Sequence, residues 1–162
     1  MKSKRTPFTL ILVTTCIFAA LGLFADKTPI AISKHFNVDK QGLALNGYDP
    51  VSYHKGEPQS GDPRFQLDYQ GVKFWFSSEQ NQKEFLRKPE KYLPAFGGWC
   101  AYAFGLGTDK VEVDPKAYLI VNGKLHLFYR DFFTDTKKLW LEKESELKPK
   151  AAENWQKLIT RE

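Results

Sequence analysis

The stretch Phe65-Gln66-Leu67-Asp68-Tyr69-Gln70-Gly71-Val72-Lys73-Phe74-Trp75-Phe76-Ser77-Ser78-Glu79-Gln80 decides the fold class. Residues 65–69 alternate between apolar and polar, Gln70-Gly71 offers a turn, and residues 72–76 alternate again. Successive side chains of a strand point to opposite faces, so the pattern predicts a β-hairpin with one face on a core. Ser77 with Gln80 three positions later has the spacing of a helix-capping box. The helix it predicts carries Phe85 and Leu86 inward and stops near Pro89.

Upstream, Asn46-Gly47 and Asp49-Pro50 are turn signals between short apolar stretches, and a Gly-, Pro- and Asp-rich loop follows from Lys55 to Arg64. Downstream, Phe96-Gly97-Gly98-Trp99-Cys100-Ala101-Tyr102-Ala103-Phe104-Gly105 reads as a short glycine-hinged helix. Ala117 to Tyr129 forms the clearest hairpin, with Asn122-Gly123 suited to a type I′ turn. A helix is predicted over 132–147, carrying Leu139, Trp140 and Leu147 and broken by Pro149, and a last one over 151–159 with Trp155 and Leu158 inward. No internal repeat is visible. Strands and helices are segregated, which predicts α+β: small antiparallel hairpins packed with several short helices. The domain spans 41–162, C-terminal helices included, behind an irregular arm over 26–40.

The first 25 residues read as a bacterial-type signal peptide. Lys2, Lys4 and Arg5 form a positive start, and Phe8 to Phe24 carries no charge. The expected location is periplasmic or secreted. No clean Ala-x-Ala pattern precedes Ala25, so retention as a membrane anchor is the alternative. The segment supplies three of the 24 cations, so the formal charge of +5 is largely a targeting feature. The remainder lacks the basic stripe of a nucleic-acid partner, and membrane contact is expected only through the N-terminal segment. Cys16 leaves with that segment, and the single Cys100 that remains can form no internal disulfide.

Taken together, Gly47-Tyr48-Asp49-Pro50-Val51-Ser52-Tyr53, Phe74-Trp75-Phe76-Ser77-Ser78 with Asn81 and Phe85, Pro89, Tyr92 and Pro94, Gly97-Gly98-Trp99-Cys100-Ala101, Asp114-Pro115 and Gly123-Lys124-Leu125 resemble the YHS-domain family in its exported, single-cysteine form. The family also has metal-binding relatives. The resemblance implies that their cysteine positions fall here on Ser52, Ser77 and Asn81. Hydroxyls and an amide are poor substitutes for thiolates toward zinc or copper(I).

The candidate site residues are Tyr48, Asp49, Trp99, Cys100 and Asp114, with Cys100 the candidate metal ligand. Near a helix start the Cys100 thiol would gain reactivity; buried among Trp99, Tyr102 and Phe104 it would be a small inert hydrophobe. Asp49 and Asp114 each precede a proline, where a carboxylate closes a turn or serves a ligand. His126 alternates with Leu125 and Leu127, which predicts a surface or hydrogen-bonded ring. Nucleophile elbows, phosphate loops and zinc-protease pairs are absent from the sequence. The expectation is a non-catalytic binding module that takes a small ligand, or a metal ion such as copper or zinc, near Cys100. A thiol redox enzyme or sensor using Cys100, and a structural module with Cys100 buried, are the alternatives.

Overall fold

The computed structural model describes residues 34–160. The first hairpin forms as its alternation predicts: β1 (Asp62–Tyr69) pairs antiparallel with β2 (Val72–Phe76), and Tyr69 faces Val72 across the turn. Gln70 and Gly71 both take positive φ, 50° and 79°. That is the type I′ geometry whose twist matches paired strands. Val72, Phe74 and Phe76 lie on one face and are fully buried.

Helix α1 (Glu79–Arg87) follows, but its cap is Ser78 rather than Ser77. The Ser78 Oγ accepts the Asn81 N–H at 3.2 Å. Ser77 is turned to Asp49 instead: it donates both its N–H and O–H to that carboxylate, and its Oγ accepts the Asn81 side-chain amide at 3.1 Å. Phe85 is buried as expected, whereas Leu86, one residue further around the helix, is mostly exposed. Helix α2 (Pro89–Tyr92) opens on a proline at its first position, where no backbone donor is missed.

After α3 (Ala101–Leu106), β3 (Asp114–Val121) and β4 (Lys124–Phe128) form the second antiparallel hairpin, closed by Asn122 and Gly123 at φ 51° and 73°. The two hairpins are one motif used twice. Residues 62–76 and 114–128 align without a gap, matching Asp-Pro-basic starts, Leu67 with Leu119, Gln70-Gly71 with Asn122-Gly123, and Phe76 with Phe128. Registers match too: Asp62 pairs with Phe76 and Asp114 with Phe128, each followed by an irregularity at the same place. The sequence reading found no repeat because the shared residues set the turns and bends, while the apolar faces differ.

They differ because β4 is a wall between two cores. Leu125 and Leu127 join Val51, Tyr53, Val72, Phe74, Phe76 and Phe85 on one side. Phe128 joins Phe96, Phe104, Ala117, Trp140 and Leu147 on the other. His126 is therefore buried, against the surface alternative, with its ring between Phe96 and Trp140 and its Nδ1 3.0 Å from the Lys124 carbonyl oxygen.

The C-terminal helices break elsewhere than predicted. Helix α4 (Thr136–Glu142) is capped by Asp135, and α5 (Glu144–Ile159) runs straight through Pro149; the break lies at Lys143. Proline costs α5 the bond to the Ser145 carbonyl and crowds the preceding turn. Packing overrides that cost: Leu147 and Ala151 are buried in the second core, where Gly105 of α3 lets Leu147 approach. Leu139 is partly exposed, while Trp140 is fully buried.

The end of the predicted arm is part of the packed unit. Phe36 meets Phe74 edge-on, and the Asn37 N–H donates to Gly97 O at 2.8 Å. The predicted signal segment and the rest of the arm lie outside the described residues. Among the described residues no helix is long and apolar enough to cross a membrane.

Candidate functional site

The first cluster is organised by Asp49, which is completely buried. Its Oδ1 accepts the Val51 N–H at 2.8 Å, closing the Asp-Pro turn. Its Oδ2 accepts from Ser77 N (2.9 Å), Ser77 Oγ (2.7 Å) and Asn81 Nδ2 (2.6 Å). The Ser52 hydroxyl donates to the Asp49 carbonyl at 2.6 Å and receives the Gln59 N–H at 2.9 Å. Asn81 Oδ1 accepts from the Lys55 ammonium at 2.6 Å, and Lys55 pairs with Glu84 at 3.0 Å. A buried carboxylate is tolerated where several donors solvate its charge, and this one has four. All three positions that the resemblance assigns to cysteines in metal-binding relatives thus converge on one carboxylate residue. Hydroxyls, an amide and a carboxylate are hard donors, and the set does not fit copper(I) or a zinc thiolate site.

The second cluster surrounds Cys100, also buried. Its Sγ accepts the Tyr129 N–H at 3.3 Å and lies 3.5 Å from Thr136 Oγ1. The Thr136 hydroxyl has one proton, and it goes to the Tyr129 carbonyl at 2.7 Å. In the sulfur contact, Thr136 Oγ1 is therefore left as the acceptor. Within the repeat, Tyr129 and Ser77 are equivalent, each following the phenylalanine that ends its hairpin. Both donate their N–H to a buried side chain from the preceding loop, a carboxylate in one half and a sulfur in the other. A cleft of about 290 Å³ opens over Cys100, lined by Tyr102, Leu106, Asp109, Val111, Tyr129 and Thr136 among others.

The remaining candidates divide between these places. Tyr53 donates its hydroxyl to Pro115 O at 3.0 Å. Burial, then Tyr48, Asp114, Tyr118 and Asp49 nearby, push its ionisation far above the ordinary tyrosine range. Tyr48, Asp49 and Asp114 thus gather around one phenol. Asp114 accepts the Lys116 N–H at 2.8 Å and the Arg130 guanidinium at 2.8–2.9 Å. Burial raises its carboxyl, but those donors outweigh burial and hold it below the usual range. Trp99 donates to His35 O at 2.9 Å and has Lys110 over its ring. Cys100 shares no hydrogen-bond partner with Asp49 among the described residues. Nor does any group of three or more His, Cys, Asp or Glu among them stand placed to hold a metal ion.

Sequence reasoning missed Lys55, Tyr129 and Thr136. The recurrence of Asp-Pro at 49–50, 62–63 and 114–115 was the available signal: each aspartate accepts the N–H two residues on. Asp62 and Asp114 thereby mark equivalent hairpin starts.

Residues 61–96 match the YHS domain. The matched segment holds the first hairpin, α1 and α2, and ends at Phe96. Asp49 and Cys100 flank the YHS match, so the carboxylate cluster joins a residue outside it to Ser77 and Asn81 inside it. The second hairpin and α3–α5 extend beyond the YHS match. No curated protein and no solved structure matches the chain.

Proposed function

We propose that this YHS domain-containing protein is an exported, non-catalytic binding module whose small, largely apolar ligand occupies the cleft over Cys100. The observation that carries the reading is the cleft itself. About 290 Å³ of space is bordered by Tyr102, Leu106, Val111 and Tyr129, with Cys100 among the lining residues. Ligand sites are typically concave, mostly apolar and fixed by a few polar groups; here those are Asp109, Thr136 and the thiol. Leu106 stands two-thirds exposed at the rim, an apolar surface a ligand would cover.

The geometry favours a small ligand over a metal ion, since Asp109 is the only other ionisable carboxylate or imidazole lining the cleft.

The test uses the dye 1-anilinonaphthalene-8-sulfonate and the small reagent methyl methanethiosulfonate. The dye is expected to brighten with the folded protein and to slow modification of Cys100. Ala103→Trp, which fills the cleft, is expected to abolish both effects. Equal dye response in wild type and Ala103→Trp, with no protection of Cys100, overturns the reading. Export is tested separately, by the compartment and N-terminal residue of protein from its native cells.

A further inference from the structure

We propose that the Phe132–Phe133 tip is an interfacial wedge that seats this domain on a lipid bilayer bearing anionic headgroups. These two rings are 93% and 90% exposed, the most exposed large apolar side chains described. They stand edge-to-face at 5.1 Å and contribute to neither core.

The repeat shows that the tip is an addition. In the first half only Ser77 and Ser78 separate the hairpin from its helix; in the second, residues 129–135 do so. The added residues are rigidly built. Asp131 Oδ1 accepts the Phe133 and Thr134 N–H groups at 2.9 and 2.7 Å. Its Oδ2 takes the Tyr129 hydroxyl at 2.5 Å, and Asp131 N donates to Thr134 O at 2.9 Å. Water-exposed phenylalanines on a preformed loop carry a standing solvation cost that burial elsewhere removes, with little ordering entropy left to lose.

Three observations select a bilayer as the occupant. The two rings stand almost wholly in solvent, and a bilayer accepts any apolar projection without a matching pocket. The tip's two carboxylates keep their charge but are already hydrogen-bonded within the loop, Asp131 as above and Asp135 by the Lys137 N–H at 3.1 Å. Lys137 and Lys138, four and five residues after Phe133, offset those two charges and add basic groups for anionic lipid. Finally, the described chain begins beside the cleft over Cys100, whose lining residues Tyr129 and Thr136 flank the tip in sequence. Lys34 O accepts from Lys110, whose neighbours Asp109 and Val111 line the cleft together with Tyr129 and Thr136. The uncharged run Phe8–Phe24 ends only ten residues before Lys34, a span of at most about 35 Å. Where that run is retained as an anchor, the alternative to signal cleavage, the domain is held with the bilayer within reach of the tip. This adds a second membrane contact to the N-terminal one and is independent of what the cleft binds.

The test uses the full chain reconstituted into vesicles of phosphatidylcholine and phosphatidylglycerol whose acyl chains carry bromine near the glycerol. Phe133→Trp adds one emitter to the native tryptophans, and wild type supplies the baseline. A wedge seated about 5–10 Å into the headgroup–acyl boundary places that emitter beside bromine. The expected result is loss of most of the added emission, with aqueous iodide becoming ineffective against it. Adding Phe132→Asp is expected to restore the emission and the iodide access. Added emission that bromine leaves intact and iodide quenches freely overturns the proposal, and points to a protein partner for the tip. Thermal unfolding of both exposed-loop variants checks that they fold.

Discussion

Replacing Asp49 by asparagine tests whether its carboxylate fastens the Asp-Pro turn to the start of α1. Asparagine keeps the size and one carbonyl oxygen. Its cheapest orientation leaves that oxygen at the Oδ2 position, facing Ser77 N, Ser77 Oγ and Asn81 Nδ2. The amide nitrogen then opposes the Val51 N–H, which loses its acceptor. One orphaned buried donor costs about 1–3 kcal/mol, and losing charge assistance from three further bonds adds about 0.5–1 kcal/mol each. Allowing for relaxation, the expected loss is about 3–4 kcal/mol. For a domain of this size that lowers Tm by roughly 10 °C. Urea unfolding followed by tryptophan fluorescence measures it, with Asp49→Ala expected to lose more. A loss below about 1 kcal/mol for Asp49→Asn, at unchanged m-value, refutes the claim that the carboxylate is a buried four-fold acceptor.

Other substitutions and conditions probe the frame around that cluster. Gly97→Ala places a Cβ 2.7 Å from His35 O and 3.0 Å from the Trp155 ring at φ +59°, so a loss of at least about 2 kcal/mol is expected in the same urea assay. Gly107→Ala, with nothing within 4 Å, is expected to change stability by less than about 0.5 kcal/mol. Pro149→Ala restores the missing bond inside α5 and is expected to raise stability by about 1–3 kcal/mol, read as a higher Tm. Burial holds the His126 imidazolium below its ordinary 6.5, and burial with Lys91 and Lys124 does the same for His54. Between the depressed folded values and 6.5 the unfolded chain binds more protons. Stability is therefore complete above pH 6.5 and falls as pH drops below it, by up to about 1.4 kcal/mol per pH unit for His126. The urea midpoint against pH checks this, and His126→Gln is expected to flatten the slope.

Local signals carried much of the architecture. Gln70-Gly71 and Asn122-Gly123 mark both hairpins because type I′ turns demand positive φ at two successive residues. Long-range contacts set what was not legible. Ser77 carries a capping pattern, yet Asp49, distant in sequence, claims it, and the cap passes to Ser78. His126 alternates like a surface residue, but a second core covers that face of β4. Pro149 is a strong breaker in isolation, and only the seating of Leu147 and Ala151 shows why α5 continues. Cys100 was readable as a lone thiol; the proton arrangement around it depends on Tyr129 and Thr136, which no local motif ties to it. The repeat escaped notice because six or so scattered matches define it, and they concern backbone geometry rather than apolar pattern.

The Asp49 cluster also bears on what the molecule depends on. The resemblance places thiolates and a metal at these positions in metal-binding relatives, a fastening that chelators strip and oxidants can rewire. Here the same segments are joined by hydrogen bonds among a carboxylate, two hydroxyls and an amide, none of which changes redox state. This fastening therefore needs neither metal delivery nor a reducing milieu to form. The domain can assemble as soon as its chain is free, in surroundings where either supply is erratic.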